Sequence, residues 1–195
     1  MTIRRKIGII RRLLACRLGS SFKKPIKLNI GSGYDFKVDY INIDQYVRAA
    51  DLNCRIDRLI WFSDKSVDEV LANHVIEHIG LEMTKKVLKE WERILKPGGK
   101  IVIRVPNFEL YVKEWLNSET EYKLGWGNIN LFGHDKIGMY HNIGFTKGML
   151  HRVISNAGLK IEKLEVVPNR HNVTNFEYRE NGDIMCIAIK TECNL

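Results

Sequence analysis

Short apolar runs alternate with amphipathic stretches along the chain. At the start, Ile3, Ile7, Ile10, Leu14 and Leu18 recur at helical spacing with arginines between them, which predicts a basic amphipathic leader helix over residues 1–22. Gly19, Ser20 and Ser21 read as its link to one domain over residues 23–195. The domain begins with KLNIGSGYDFKVDYINID from Lys27 to Asp44, two short apolar runs flanking a glycine turn, and these predict two strands. A polar, poorly periodic segment follows from Gln45 to Lys65, and then VDEVLAN, Val67 to Asn73, reads as a strand. The periodicity changes at once to HVIEHIG, so His74 and Glu77 lie at or just past that strand's carboxyl end.

Glu82 to Leu95 predicts a helix with Met83, Val87, Trp91, Ile94 and Leu95 on one face. Pro97 and Gly98 fit the central positions of a type II turn, and a strand from Lys100 to Val105 follows. Asn107 is placed to cap a helix whose inner face is Phe108, Val112, Trp115 and Leu116. Periodicity is then lost from Ser118 to Gly144, a length that suits a lid or binding loop. Thr146 opens a last helix carrying Met149, Leu150, Val153 and Ile154 inward, with Phe145 stapled on Leu150 and Gly158 as the stop. Strands from Lys160 to Val167 and Asp183 to Lys190 complete the chain as an antiparallel edge pair. Alternation of strand and helix predicts an α/β fold: a three-layer Rossmann-like sandwich, mostly parallel, with an antiparallel C-terminal edge strand.

With 195 residues, 45% of them apolar, the chain has enough for one substantial core. Its net charge of +8 is unevenly placed, because residues 1–27 hold nine Lys or Arg and no acid. The remaining body is close to neutral, which argues against a nucleic-acid partner. For the leader three readings stay open: docking on the domain, peripheral contact with an anionic membrane surface, or contact with a partner or nucleic acid. Cys16, Cys54, Cys186 and Cys193 form no CxxC pair or zinc spacing, and a reducing cytoplasm is the simplest setting, with the inner membrane face as the variant that membrane contact would require. No apolar run reaches the roughly 18–20 residues of a membrane span.

Candidate chemistry starts at the glycine turn. Gly31 and Gly33 allow close backbone approach at the carboxyl ends of parallel strands, with Asn29 and Ser32 beside them, and Asp44 is placed to accept from both hydroxyls of a ribose. A dinucleotide would need a helix N-terminus after the glycines for its pyrophosphate, but only ten residues separate Gly33 from Asp44. S-adenosylmethionine has an adenosine and no phosphate, and fits the shortened turn. Asp51 can accept from an adenine amine while Leu52 packs on the ring, and Asn73 with His74 closes the site at the third strand's end.

For catalysis the candidates are His141, His134 and His74. Methyl transfer chiefly requires alignment and exclusion of water, with a general base useful for a hydroxyl acceptor. His141 ranks above His134, since it lies near the anchoring Phe145 and not between glycines. Residues 74–78 also match H-x-x-E-H, a zinc metalloprotease pattern, but they sit at a strand-to-helix junction and no metal is expected.

Four ordered stretches carry a family resemblance: LNIGSG with INID; DL followed by WFSDKSVDEVLANHVIEHI; ILKPGGKIVIRVPN; and FTKGMLHRVISNAGL. Over about residues 26–167 the chain resembles class I S-adenosylmethionine-dependent methyltransferases of type 11. The resemblance implies S-adenosylmethionine as cofactor and methyl transfer to a small-molecule or glycan-type acceptor, as in compact members often encoded with polysaccharide-biosynthesis genes. A non-catalytic protein that kept the fold is the alternative. The family's first helix, between the two opening strands, is missing or reduced to a few residues here.

Overall fold

The computed structural model describes residues 9–10, 25–136, 138–169 and 179–192. Six strands form one sheet: β1 (Lys27–Ile30), β2 (Ile41–Ile43), β3 (Val67–Asn73), β4 (Leu95–Pro106), β5 (Leu159–Asn169) and β6 (Arg179–Lys190), in the order β2-β1-β3-β4-β6-β5. The first four are mutually parallel, and β6 runs antiparallel to both of its neighbours. The sequence reading gave the C-terminal pair, and the structure sets the order within it. β6 lies one place in from the edge, which β5 occupies. This places the N-terminal start of β6 beside the carboxyl ends of the parallel strands, with Asp183 opposite Pro106.

Leu28, Ile30, Ile41, Ile43, Ile101 and Ile103 are fully buried, as expected of strands covered on both faces. No helix joins β1 to β2. The connection is a run of turns from Gly31 to Tyr40, so the reduced spacing seen in the sequence is real in the fold. Helix α1 (Leu81–Ile94) buries Val87, Leu88, Trp91 and Ile94 as its 3.6-residue period dictates, while Leu95 already belongs to β4. Gly98 has φ of 75°, which a type II turn demands at its second central position.

Helix α2 (Phe108–Asn117) corrects the predicted inner face. Tyr111 is its buried residue and Leu116 is 62% exposed, because the helix faces a cavity and not the sheet core. Asn107 holds the N-cap position, but its side chain caps nothing in the first turn. Ahead of α3 (Lys147–Asn156), Thr146 Oγ1 accepts from the Met149 N–H at 3.2 Å, and Phe145 and Leu150 are buried as the staple requires. Met149 is turned outward.

The aperiodic segment is also more ordered than expected. Helical turns run from Thr120 to Phe132, bent where Gly125 leaves helical geometry, and only the stretch beyond Gly133 is irregular. Of the leader, Ile9 and Ile10 are described; both are helical, and Ile9 packs into the core cluster. Its remaining residues and the Gly19 to Ser21 link lie outside the described residues. Among those described, no helix is long and apolar enough to cross a membrane.

Candidate active site

At the carboxyl ends of β1 and β2, the backbone coils into the left-handed region at both turn glycines, with φ of 62° at Gly31 and 50° at Gly33. A Cβ on Gly31 would lie 2.5 Å from Val75 Cγ2, whereas the same position on Gly33 is open. Asp44 is what locks this turn. Its Oδ2 accepts from the Gly33 N–H at 2.8 Å, and its Oδ1 from the N–H groups of Tyr46 and Val47 at 2.8 and 2.9 Å. Three of the carboxylate's roughly four acceptor sites are thus used by the chain. The carboxylate proposed to grip a ribose thus also shapes the glycine turn.

Asn29 and Asp51 are likewise committed to the scaffold. Asn29 Nδ2 donates to the Asp35 carbonyl and to Asn42 Oδ1, and Asp51 Oδ2 accepts from the Asn42 N–H and Nδ2. Ser32 is buried with its hydroxyl on the Gly33 carbonyl, and Leu52 pairs with Ile43 beside β2. Asn73 is different. Its Oδ1 is buried with no hydrogen-bond partner, next to Gly33 on the wall of a cavity of about 370 Å³. An orphaned acceptor costs stability unless a ligand donor meets it, so the open Gly33 and the orphaned Asn73 fit an amino-acid-bearing adenosine cofactor.

His74, His78, His134 and His141 all line the same cavity. The structure therefore brings together every histidine named as a catalytic candidate, together with His78. His74 follows β3 with φ of 54°, and its N–H continues the ladder to the Arg104 carbonyl at 2.9 Å. Its Nδ1 lies 3.1 Å from Glu77 Oε1 and its Nε2 lies 3.1 Å from Asp183 Oδ2, while Arg104 Nε donates to the same Asp183 oxygen at 2.6 Å. Burial disfavours a charge on His74, but the bonds to Asp183 and Glu77 outweigh it and raise the imidazole to about 9. Both ring nitrogens therefore carry protons at neutral pH.

The loop beyond Gly133 is sewn onto the turn at Glu77. The Asn142 N–H donates to the Glu77 carbonyl at 2.7 Å, Asn142 Nδ2 to the His78 carbonyl at 2.7 Å, and His78 Nδ1 to the Tyr140 carbonyl at 3.0 Å. His141 comes to rest with its ring centroid 5.1 Å from that of His78. Burial pushes its imidazole below the ordinary value. The ring of His134 makes no hydrogen bond or ion pair with the described residues. Three participants were missed by the sequence reading: Asp183, Arg104 and Tyr111. No local pattern marks them, since Asp183 looks like the edge of a polar turn and Tyr111 falls off the presumed inner face.

The sheet order and its connections match the fold of solved S-adenosylmethionine-dependent methyltransferases. Residues 29–103 match the type 11 family model described as a methyltransferase domain. An uncharacterised protein of Methanocaldococcus jannaschii is 28% identical over 106 residues, which is 54% of this chain and 51% of that protein, so the match spans about half of the relative. A crystallised S-adenosylmethionine-dependent methyltransferase of Methanosarcina mazei superimposes with a TM-score of 0.62 at 16% identity, covering 94% of this chain and 97% of its own. The 1,6-didemethyltoxoflavin-N1-methyltransferase of Burkholderia thailandensis, with bound 1,6-didemethyltoxoflavin and S-adenosylhomocysteine, gives 0.56 at 15% identity, covering 97% and 78%.

Replacing Asp44 by Ala removes the acceptor of three main-chain bonds and releases the glycine turn. S-adenosylhomocysteine affinity, read by calorimetry, is expected to fall about tenfold to a hundredfold, with charge-assisted bonds worth roughly 1.5–3 kcal/mol each. Unchanged affinity would remove Asp44 from the cofactor site.

Proposed function

We propose that the chain transfers the methyl group of S-adenosylmethionine to an oxygen of a small-molecule or glycan-type acceptor received in the histidine-lined cavity. The observation that carries this reading is the cavity itself, which has Gly33 and Asn73 on the cofactor side and His134 facing it from the loop. When bound, the cofactor supplies an electrophilic methyl on a sulfonium. The chain's residues do the rest: the Gly31 to Gly33 turn, Asp44, Leu52 and Asn73 hold the cofactor end, while Tyr111, Ile129 and Met139 exclude water around the acceptor.

His134 receives the acceptor's proton. This reverses the ranking made from the sequence, for a geometric reason: the His141 ring is packed on His78 beside buried Glu77, whereas the His134 ring is uncommitted. His74 is already doubly protonated and serves instead to fix the strand end. An assay of S-adenosylhomocysteine release with a panel of hydroxylated acceptors, free sugars and glycan fragments included, tests the activity. Cofactor binding without turnover on any of them would favour the non-catalytic alternative, and turnover only on ring nitrogens would replace oxygen by nitrogen.

For the leader, docking on the domain is favoured over membrane or partner contact by the burial of Ile9 in the core cluster. Deleting residues 1–20 is then expected to lower the melting temperature while leaving cofactor affinity within a few fold. Vesicle flotation is the counter-test: recovery of the full chain on anionic vesicles, lost on truncation and weakened by salt, would establish the peripheral membrane role at the inner face.

A further inference from the structure

We infer that Glu77, His78 and His141 form a binding site for a divalent transition-metal ion whose open coordination position faces the acceptor cavity. One ligand atom from each of the three lies within 4.8 Å of the other two. Glu77 is 1% exposed, and its Oε2 has no hydrogen-bond partner, so a fully buried carboxylate oxygen is left without a donor. Facing it is His78 Nε2, 4.0 Å from Glu77 Oε1.

The His78 tautomer points the same way. His78 donates its Nδ1–H to the Tyr140 carbonyl, which leaves Nε2 as a lone pair directed at the carboxylate. His141 brings its ring to within 5.1 Å of the His78 ring, centroid to centroid, on the same side of Glu77. A carbonyl-anchored imidazole like that of His78 is the usual orientation of a metal-binding histidine. The unpartnered Glu77 Oε2 and the lone pair of His78 Nε2 repel one another, and a cation between them removes that repulsion.

Two imidazoles and one carboxylate with a vacant position suit Zn²⁺ among the divalent ions. Bonds of about 2.0–2.2 Å around a tetrahedral ion place donors roughly 3.4 Å apart, so the three groups, now within 4.8 Å of one another, must draw together by up to about 1.4 Å. The main-chain bonds from Asn142 and Ile143 to the Glu77 carbonyl, at 2.7 and 3.3 Å, hold the loop in register for this. The arrangement differs from the metalloprotease reading of H-x-x-E-H. There, both histidines of the pattern would be ligands; here His74 is turned to Asp183, and the loop residue His141 takes its place.

The ion site stands independently of methyl transfer, and only the role of its open position, receiving an acceptor oxygen, rests on the proposed function. The test is calorimetric titration of the full, chelator-stripped chain with Zn²⁺ alone, without cofactor or acceptor. One ion per chain is expected, with affinity reduced about a hundredfold or more in His141→Ala and in Glu77→Gln, and unchanged in His151→Ala on the exposed side of α3. Should Glu77→Gln fail to fold, X-ray absorption of the zinc-loaded parent chain must show two imidazoles and a carboxylate oxygen in the first coordination sphere. Absence of stoichiometric binding, or full affinity in His141→Ala, overturns the site. Since neither readout involves turnover, their failure would leave the methyl-transfer reading to its own assay.

Discussion

Turnover of the His134→Ala variant is expected to fall by roughly 10² to 10⁴, the usual worth of a positioned general base, while S-adenosylhomocysteine affinity stays within a few fold. The loss should appear in kcat, because the residue acts on the acceptor proton and only weakly on ground-state binding. His134→Gln, which keeps a polar side chain without a titratable one, should behave like the alanine variant. Near-parental turnover in either variant would mean that alignment alone drives transfer, or that the base lies elsewhere in the cavity.

The second large effect concerns stability. Asp183 is 1% exposed and accepts from both His74 and Arg104, so Asp183→Asn leaves two cations with half of their anionic partners. Breaking a buried pair in this way costs about 3–5 kcal/mol, to be read by urea denaturation. The pH dependence has a definite sign. The His74 imidazole is raised from an ordinary 6.5 to about 9, so its contribution is fully present below about pH 6.5 and is lost as pH rises through 9. In metal-free buffer the parent should lose stability across that window, and Asp183→Asn should lose much less. Parallel pH curves would show that the pair is not the source.

Much of this protein is legible in the sequence because it is local. Strands β1, β3 and β4 and helices α1 and α3 are written in apolar periodicity over fourteen residues or fewer, and the type II turn in the backbone freedom of Gly98. The ten residues between Gly33 and Asp44 exclude a pyrophosphate helix by length alone. Where a face is buried against several elements, however, periodicity reports burial and not the partner. That is why α2 was rotated by the reading: Tyr111 turns to a cavity wall built by residues far along the chain.

The chemistry of the site is tertiary almost throughout. Asp44 was identifiable as an acid at a strand end, but its three main-chain donors depend on how the chain folds back over it. Asp183 meets His74 only because β6 inserts antiparallel between β4 and β5 and delivers its first residues to the strands' carboxyl ends. His141 meets His78 and Glu77 only because main-chain bonds pin its loop onto their turn. Local sequence determines backbone conformation and which side of an element is apolar, since those energies are settled within a few residues. The position of a charge or an imidazole is set by desolvation and pairing with groups from distant segments, and those terms exist only once the segments have met.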